Sequence, residues 1–368
     1  MHAQNVFIIG ATGWVGGKVI QQIHDSDIWN SDHLHPTRIL GIANSRKILL
    51  ADPNSMLQGL SWSERSDIEK DLDRMGTTIR DGYNSILESL HILWLQEKDI
   101  VFIDTTADSS RENLKFHMEV IRRGGRIVTA NKNPIALSSM EEFRFLTRNR
   151  RHYAYRASVM AWGPAVKELI GAFDTKNKVH SIQWCFSGTL AYICSELEKW
   201  LSFSSIVQDA HTKNYTEPNP WDDLSGFDVA KKILILARTA GYNVSIDDII
   251  IEPFIPSEFS KFSWKEFLHE IESLDMGFSD RLEKLRTENK TLRYIASLHI
   301  EEGMPIIRVG PQEVSKDSPL GSLTGTNNKV VIETDCFTSE CARPGAWLEN
   351  TANSIRVDLA WLLKERIA

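Results

Sequence analysis

NVFIIG at residues 5–10 runs directly into ATGWVGG, so an apolar stretch too short for a helix is closed by a glycine. The apolar residues of 15–23 then recur at helical spacing, and the whole segment reads as strand, turn and helix. Gly10, Gly13 and Gly16 fall in the turn. There the chain must reverse sharply, and the absence of side chains lets a ligand approach the first N–H groups of the helix. A pyrophosphate suits such a place, which makes Gly10, Gly13, Trp14, Val15 and Gly16 candidates for holding a dinucleotide. The spacing G-x-x-G-x-x-G departs by one residue from G-x-G-x-x-G, so a merely tight strand-to-helix turn is the alternative.

The residues beyond the turn favour the dinucleotide. RILGIA (38–43), IVFID (100–104) and RIVT (126–129) read as strands, with helical spacing near 84–97, at 111–123 and at 140–148. A polar stretch rich in Ser, Asp and Glu at 61–81 reads as an insertion. Strands alternating with helices imply right-handed crossovers and a parallel sheet covered on both faces, the doubly wound Rossmann-type architecture. Thr105, directly after IVFID, joins the cofactor candidates. At the end of the second strand the chain reads Asn44-Ser45-Arg46-Lys47, where an NAD site usually offers an acidic residue to the ribose. Arg46 suits a 2′-phosphate instead, favouring NADP over NAD, with a solvated basic loop as the alternative.

Beyond Gly163 the pattern changes. Helical stretches at 165–173, 190–201 and 227–240 mix with strand candidates at 179–186, 292–300, 305–309 and 329–333. The expected organisation is a dinucleotide-binding domain over 1–156, completed by a C-terminal helix within 345–368, and a mixed α+β substrate-binding and dimerisation domain over 157–344. A closing helix at 351–363 is expected to pack against the first domain.

A chain of 368 residues with 42% hydrophobic content fits about two cores. Its net charge of -7 gives no general attraction to nucleic acid or anionic membrane, which leaves a small molecule as the expected partner. Cys185, Cys194, Cys336 and Cys341 have no zinc spacing and read as reduced thiols. No leader-like segment is expected before the first strand, and no apolar run approaches a membrane span. A cytoplasmic protein is expected.

The richest chemistry lies at 215–238, YTEPNPWDDLSGFDVAKKILILAR. In its helical half Val229, Ile233 and Leu236 share one face, while Asp228 and Lys232 stand four apart on another. A solvated salt bridge is the plain reading of that pair. The loop before it concentrates Glu217, Asp222 and Asp223 around the stiffening Pro218 and Pro220, a charge density that asks for cations. This segment resembles the substrate-binding and catalytic segment of homoserine dehydrogenases, and VTANKNP (128–134), SGTLAYI (187–193) and IEPFIP (251–256) extend the resemblance. The chain reads as a monofunctional member that resembles the dehydrogenase part of aspartokinase/homoserine dehydrogenase; no aspartokinase region is expected before the first strand.

The resemblance implies reversible reduction of L-aspartate 4-semialdehyde to L-homoserine by a nicotinamide cofactor, in a homodimer. It implies Lys232 as proton donor, Asp228 orienting it, and Lys132 as a second lysine assisting proton transfer or binding substrate and cofactor. Glu217, Asp223 and Tyr215 would bind substrate, and Gly188 and Thr189 would add backbone and hydroxyl contacts unless they merely cap a helix.

Departures from the family pattern cluster. ASVMAWGP at 157–164 puts Met160 and Trp162 at glycine positions, and Arg343-Pro344-Gly345-Ala346-Trp347 keeps Gly345 of the cofactor turn but ends it in tryptophan. Arg156 stands where relatives carry an acidic residue that helps hold a monovalent cation. Its fixed positive charge argues against sodium, and no metal site is expected. A different amino aldehyde or hydroxy amino acid as substrate, or a cofactor-impaired paralogue, are the alternatives. An aspartate-semialdehyde dehydrogenase also begins with such a glycine motif but needs an activated cysteine, for which no setting is apparent.

Overall fold

The computed structural model describes residues 4–28, 37–54, 56–160, 163–185, 187–199, 201–213, 215–216, 220–344 and 348–367. The chain divides into two compact units, 1–162 with 347–368, and 163–346.

In the first unit β1 (Gln4–Ile9), β2 (Thr37–Ala43), β3 (Lys47–Leu50), β4 (Thr77–Thr78), β5 (Val101–Asp104), β6 (Arg126–Thr129) and β7 (Tyr153–Ala154) form one sheet in the order β4-β3-β2-β1-β5-β6-β7. β2, β1, β5, β6 and β7 are parallel. β1 and β5 are buried along nearly their whole length because helices cover both sheet faces, as their unbroken apolar runs suggest. The helices are α1 (Trp14–Ile23), α2 (Arg65–Met75), α3 (Gly82–Ser89), α4 (Arg111–Arg122), α5 (Asn133–Ala136), α6 (Met140–Thr147) and the closing helix Leu348–Ile367. Ala352, Ile355, Leu359 and Leu362 of that closing helix join Val19, Ile20, Ile103 and Val128 in one apolar cluster. Strand order reverses between β1 and β5, and ligands of open parallel sheets bind beyond the carboxyl ends of strands at such a reversal.

Two expectations need correction. The stretch 61–81 holds the 11-residue helix α2, whose Ile68 and Leu72 are buried one turn apart while its other faces are polar. β3 and β4, which flank α2 in sequence, make an antiparallel edge on a sheet expected to be wholly parallel. The helix expected over 84–97 ends at Ser89, because Trp94 takes a left-handed φ of 50° after one 3₁₀ turn and a Gln96/Asp99 capping box starts another.

The second unit is built on a six-stranded mixed sheet, β13-β12-β8-β10-β11-β9. Its strands are β8 (Val179–Cys185), β9 (Ile249–Ile251), β10 (Lys290–Glu301), β11 (Met304–Ser315), β12 (Asn327–Thr334) and β13 (Thr338–Pro344). Glu302 and Gly303, both at positive φ, turn β10 into β11, a two-residue hairpin of the kind that matches strand twist. Its helices are α7 (Ala165–Asp174), α8 (Gly188–Leu197), α9 (Phe203–Thr212), α10 (Pro220–Leu224), α11 (Phe227–Thr239), α12 (Trp264–Glu270) and α13 (Asp275–Thr287). Together the units are the doubly wound domain and mixed α+β domain expected from sequence. α9 escaped that reading although Phe203, Ile206, Val207 and Ala210 follow helical spacing and are all buried.

Gly226 links α10 to α11 at φ 75°, and a Cβ there would overlap the Tyr294 hydroxyl. That hydroxyl donates to the Glu252 carbonyl at 2.9 Å and is held in place. Gly226→Ala is expected to destabilise the second unit by about 2–4 kcal/mol through backbone strain and overpacking, read as a lowered midpoint in urea.

Candidate functional site

In the first unit the glycine turn has no room for side chains. Gly10 has φ 83°, a Cβ on it would lie 2.9 Å from Thr105 Oγ1, and one on Gly16 would collide with the Gly10 carbonyl oxygen. Thr105 fixes the turn from the neighbouring strand, its N–H and hydroxyl both donating to the Ile9 carbonyl at 3.0 and 2.8 Å. The N–H groups of Gly10 and Ala11 donate to Ala43 O. α1 begins with neither a side-chain cap nor an acidic residue in its first turn, so its leading N–H groups suit an anion from outside. Trp14 is 70% exposed beside them, whereas Val15 packs its side chain against the core. The turn therefore fits a dinucleotide pyrophosphate.

Arg46 sits exposed in a turn where Asn44 Oδ1 accepts from the N–H groups of Arg46 and Lys47, both at 2.8 Å. Lys47 instead reaches the Asp73 carbonyl. Sequence reasoning missed Arg65, whose guanidinium lies 4.1 Å over the Trp14 ring and donates to Thr12 O at 3.1 Å. Reading its surroundings only as a polar insertion hid a cation beside the glycine turn. Lys132 stands at the head of α5, between Asn131 and Asn133.

Arg156 points inward, and its partner is a carboxylate. Its guanidinium pairs with Asp358 of the closing helix, its backbone N–H donates to the same carboxylate at 3.1 Å, and the guanidinium carbon lies 5.6 Å from the Trp361 ring centre. Asp358 is fully buried, and burial pushes its carboxyl up to about 6 against the opposing pull of Arg156. Met160 is buried. Trp162, Glu217, Gly345 and Trp347 lie outside the described residues, as does the side chain of Asp222.

In the second unit the candidates gather around α8 and α11. Ser187 caps α8 by accepting from Leu190 N–H at 3.1 Å, which leaves the Thr189 hydroxyl for other work. That hydroxyl lies 2.5 Å from the Tyr215 carbonyl oxygen and 3.1 Å from Asp223 Oδ1, tying both ends of the acidic loop to α8. A Cβ on Gly188 would meet nothing within 4 Å, so the start of α8 is open. On α11, Lys232 Nζ pairs with Asp228 Oδ2 at 2.7 Å, the lysine side chain 15% exposed and the aspartate 40%. The buried Val229, Ala230, Ile233 and Leu234 anchor the helix beneath them.

A second group, absent from the sequence reading, buttresses this loop. The Tyr215 ring meets Tyr192 edge-on at 5.1 Å, and the Tyr192 hydroxyl pairs with Asp209 while accepting from Lys213 Nζ at 2.8 Å. Lys213 and then Tyr192 hold the Asp209 carboxyl below its ordinary value. The Asp209–Lys213 pair, four apart at the end of α9, reads as an ordinary helix salt bridge, and nothing in the sequence announces Tyr192, which comes from α8.

All four cysteines are unbridged, and burial pushes Cys185 and Cys194 up to about 12, far from a thiolate nucleophile. Among the described residues no group of three or more His, Cys, Asp or Glu could hold a metal ion, and no helix is long and apolar enough to cross a membrane.

The chain is similar to a bifunctional aspartokinase/homoserine dehydrogenase of Zea mays, 30% identical over 364 residues that cover 96% of this chain and 38% of the relative. It thus spans well under half the length of that curated relative. Its fold is similar to a Candida auris protein of unknown function (TM-score 0.83, 25% identity, 99% of each chain covered). A hyperthermophilic archaeal homoserine dehydrogenase in complex with NADPH shares the fold too (TM-score 0.72, 18% identity, 99% and 98% covered). The model of the homoserine dehydrogenase family matches residues 164–360, which take in the Thr189-tethered loop and the Asp228–Lys232 pair. By that match the chain belongs to the homoserine dehydrogenase family of oxidoreductases.

Proposed function

We propose that this chain reduces L-aspartate 4-semialdehyde to L-homoserine, with NADP(H) preferred over NAD(H) and Lys232 as proton donor. The observation that carries the reading is the 2.7 Å Asp228–Lys232 pair on a helix anchored by its buried face, inside the segment that matches the family. When bound, the reduced nicotinamide supplies the hydride to the aldehyde carbon.

Lys232 offers its ammonium to the alkoxide that forms, stabilising the charge and then giving up a proton. Asp228 keeps the ammonium oriented. Asp223, held by Thr189, and Glu217 receive the substrate ammonium, with Tyr215 and Gly188 shaping that end. Lys132 receives the carboxylate or assists proton transfer. The glycine turn with Thr105, Trp14 and Val15 seats the pyrophosphate, Gly345 lines the cofactor, and Arg46 meets the 2′-phosphate. Arg156 occupies the cation's place with its own charge, so turnover needs no added sodium. Two copies pair through the second unit's sheet, in the cytoplasm.

The test is turnover of L-aspartate 4-semialdehyde with NADPH or NADH, followed by loss of reduced-cofactor absorbance. Folded protein inactive with both cofactors removes the assignment. Arg46→Ala should raise the KM for NADPH about tenfold or more, the loss of one charge-assisted hydrogen bond, and leave that for NADH nearly unchanged. Equal effects on both cofactors would remove Arg46 from the phosphate site.

A further inference from the structure

At the carboxyl ends of β5 and β6 the first unit encloses a polar cluster that the reaction does not use. Asp104, Asn113, His117 and Thr129 are fully buried, and Asn131 nearly so. The Asp104 carboxylate collects five donor atoms. Oδ1 accepts from the Thr106 N–H at 2.9 Å and its hydroxyl at 2.7 Å. Oδ2 accepts from Asn131 Nδ2 at 3.2 Å and Asn113 Nδ2 at 3.3 Å, and lies 3.1 Å from His117 Nε2.

That nitrogen must carry a proton to face a carboxylate. His117 Nδ1, 2.8 Å from the Tyr153 hydroxyl, is then free to accept from it. Burial pushes the Asp104 carboxyl up, but the hydrogen bonds from His117 and Thr106 outweigh it and hold the group below its ordinary value. The cluster is thus organised around an anion.

A buried anion is costly, and an apolar filling of equal volume would serve the core as well or better. What its donors share is their position. Thr106 lies two residues beyond the end of β5 and Asn131 two beyond the end of β6. Asn131 Nδ2 also reaches the Asp108 carbonyl at 2.8 Å, Asn133 Nδ2 donates to the Ala107 carbonyl at 2.9 Å, and the Asn133 N–H donates to Asn131 Oδ1 at 3.0 Å. From the other side, the Tyr83 hydroxyl donates to Asp108 at 2.6 Å and accepts from Asn113 at 2.8 Å. The two loops are pinned to each other as well as to the anion, and Lys132 sits in the middle of the second. Thr105 is anchored separately, by its two bonds to Ile9.

We propose that Asp104, backed by His117 and Tyr153, is a positioning residue: its buried anion locks the loops 106–108 and 131–133 together so that Lys132 is set in place before substrate arrives. This rests on the reading of Lys132 as a substrate-facing lysine. Loops set in advance matter because a small displacement of a reacting or binding group costs large factors in rate.

The experiment joins hydrogen exchange on the ligand-free protein with steady-state kinetics, for Asp104→Asn and the milder Tyr153→Phe. In Asp104→Asn an amide stands among five donors and the lock opens. Exchange in peptides covering 106–108 and 131–133 should quicken about tenfold or more while β1 keeps its protection. The kcat/KM for the semialdehyde should fall about 10–100-fold, whereas NADPH affinity, read by fluorescence titration, should change less than about threefold. Tyr153→Phe removes the outermost bond alone and should shift the same peptides and the same kinetic ratio in the same direction, by about two- to threefold.

Unchanged exchange at 131–133, exchange rising evenly through the first unit, or NADPH affinity falling in step with kcat/KM would each overturn the proposal. If Asp104→Asn does not fold, Tyr153→Phe decides by the same criteria. Wild-type protein that does not turn over the semialdehyde overturns the proposed reaction, and the exchange pattern with the NADPH titration still decides the positioning.

Discussion

Lys232→Ala is expected to lower kcat for semialdehyde reduction by about 100-fold or more while leaving the fold intact. The two parts of that expectation come from different physics. An i, i+4 ion pair with a partly exposed aspartate stabilises a helix by only about 0.3–0.5 kcal/mol, so its loss should barely move the melting temperature. Were the pair merely a solvated salt bridge, kcat would follow the fold and also hardly change. A proton donor instead acts on the alkoxide in the transition state, and alanine leaves only water in its place. Turnover within about threefold of wild type, in protein with an unchanged melting curve, would strike Lys232 from the mechanism.

Arg156→Ala should cost about 3 kcal/mol or more of first-unit stability, measured by urea unfolding. The substitution leaves the fully buried Asp358 without the cation that answers it. A double replacement, Arg156→Met with Asp358→Leu, should recover most of the loss, since an apolar pair needs no desolvation. The pH dependence carries a sign. The Asp358 carboxyl, up at about 6, stands above its unfolded value of about 3.9. Between those limits the native state keeps a proton that the unfolded chain has released. Stability from this group is therefore greatest below about pH 4 and declines as pH rises through 6. In Arg156→Ala the decline should extend to higher pH, because burial then acts without opposition. A variant with wild-type stability at both pH 5 and pH 8 would show that the pair holds nothing.

The residues that spoke plainly in the sequence are those whose partners are near in the chain. The glycine turn follows its strand at once, and Asp228 stands one helical turn from Lys232. Thr189 was singled out for its motif, but its task of tying Tyr215 to Asp223 depends on how α8 meets the loop. Asp104 ends a run, IVFID, that reads as an ordinary buried strand, and nothing in that run announces His117 or Asn131. α2 was hidden because only Ile68 and Leu72 face the core, and the polar count of a helix lying on a surface imitates a loop. Arg156 was read as an obstacle to a cation. Its partner stands 202 positions later, beyond any window in which spacing is informative.

The closing helix also governs the order in which this protein can be made. Gln4 Nε2 donates to the Leu359 carbonyl at 3.0 Å, so the first strand waits for a partner 355 positions later to leave the ribosome. Residues 163–346, a unit of their own, emerge whole before that. Domains generally fold as units during synthesis. The unit begun first is therefore completed after the second, and until Ala352, Ile355, Leu359 and Leu362 arrive, the apolar surface they cover stays open to chaperones and to other chains.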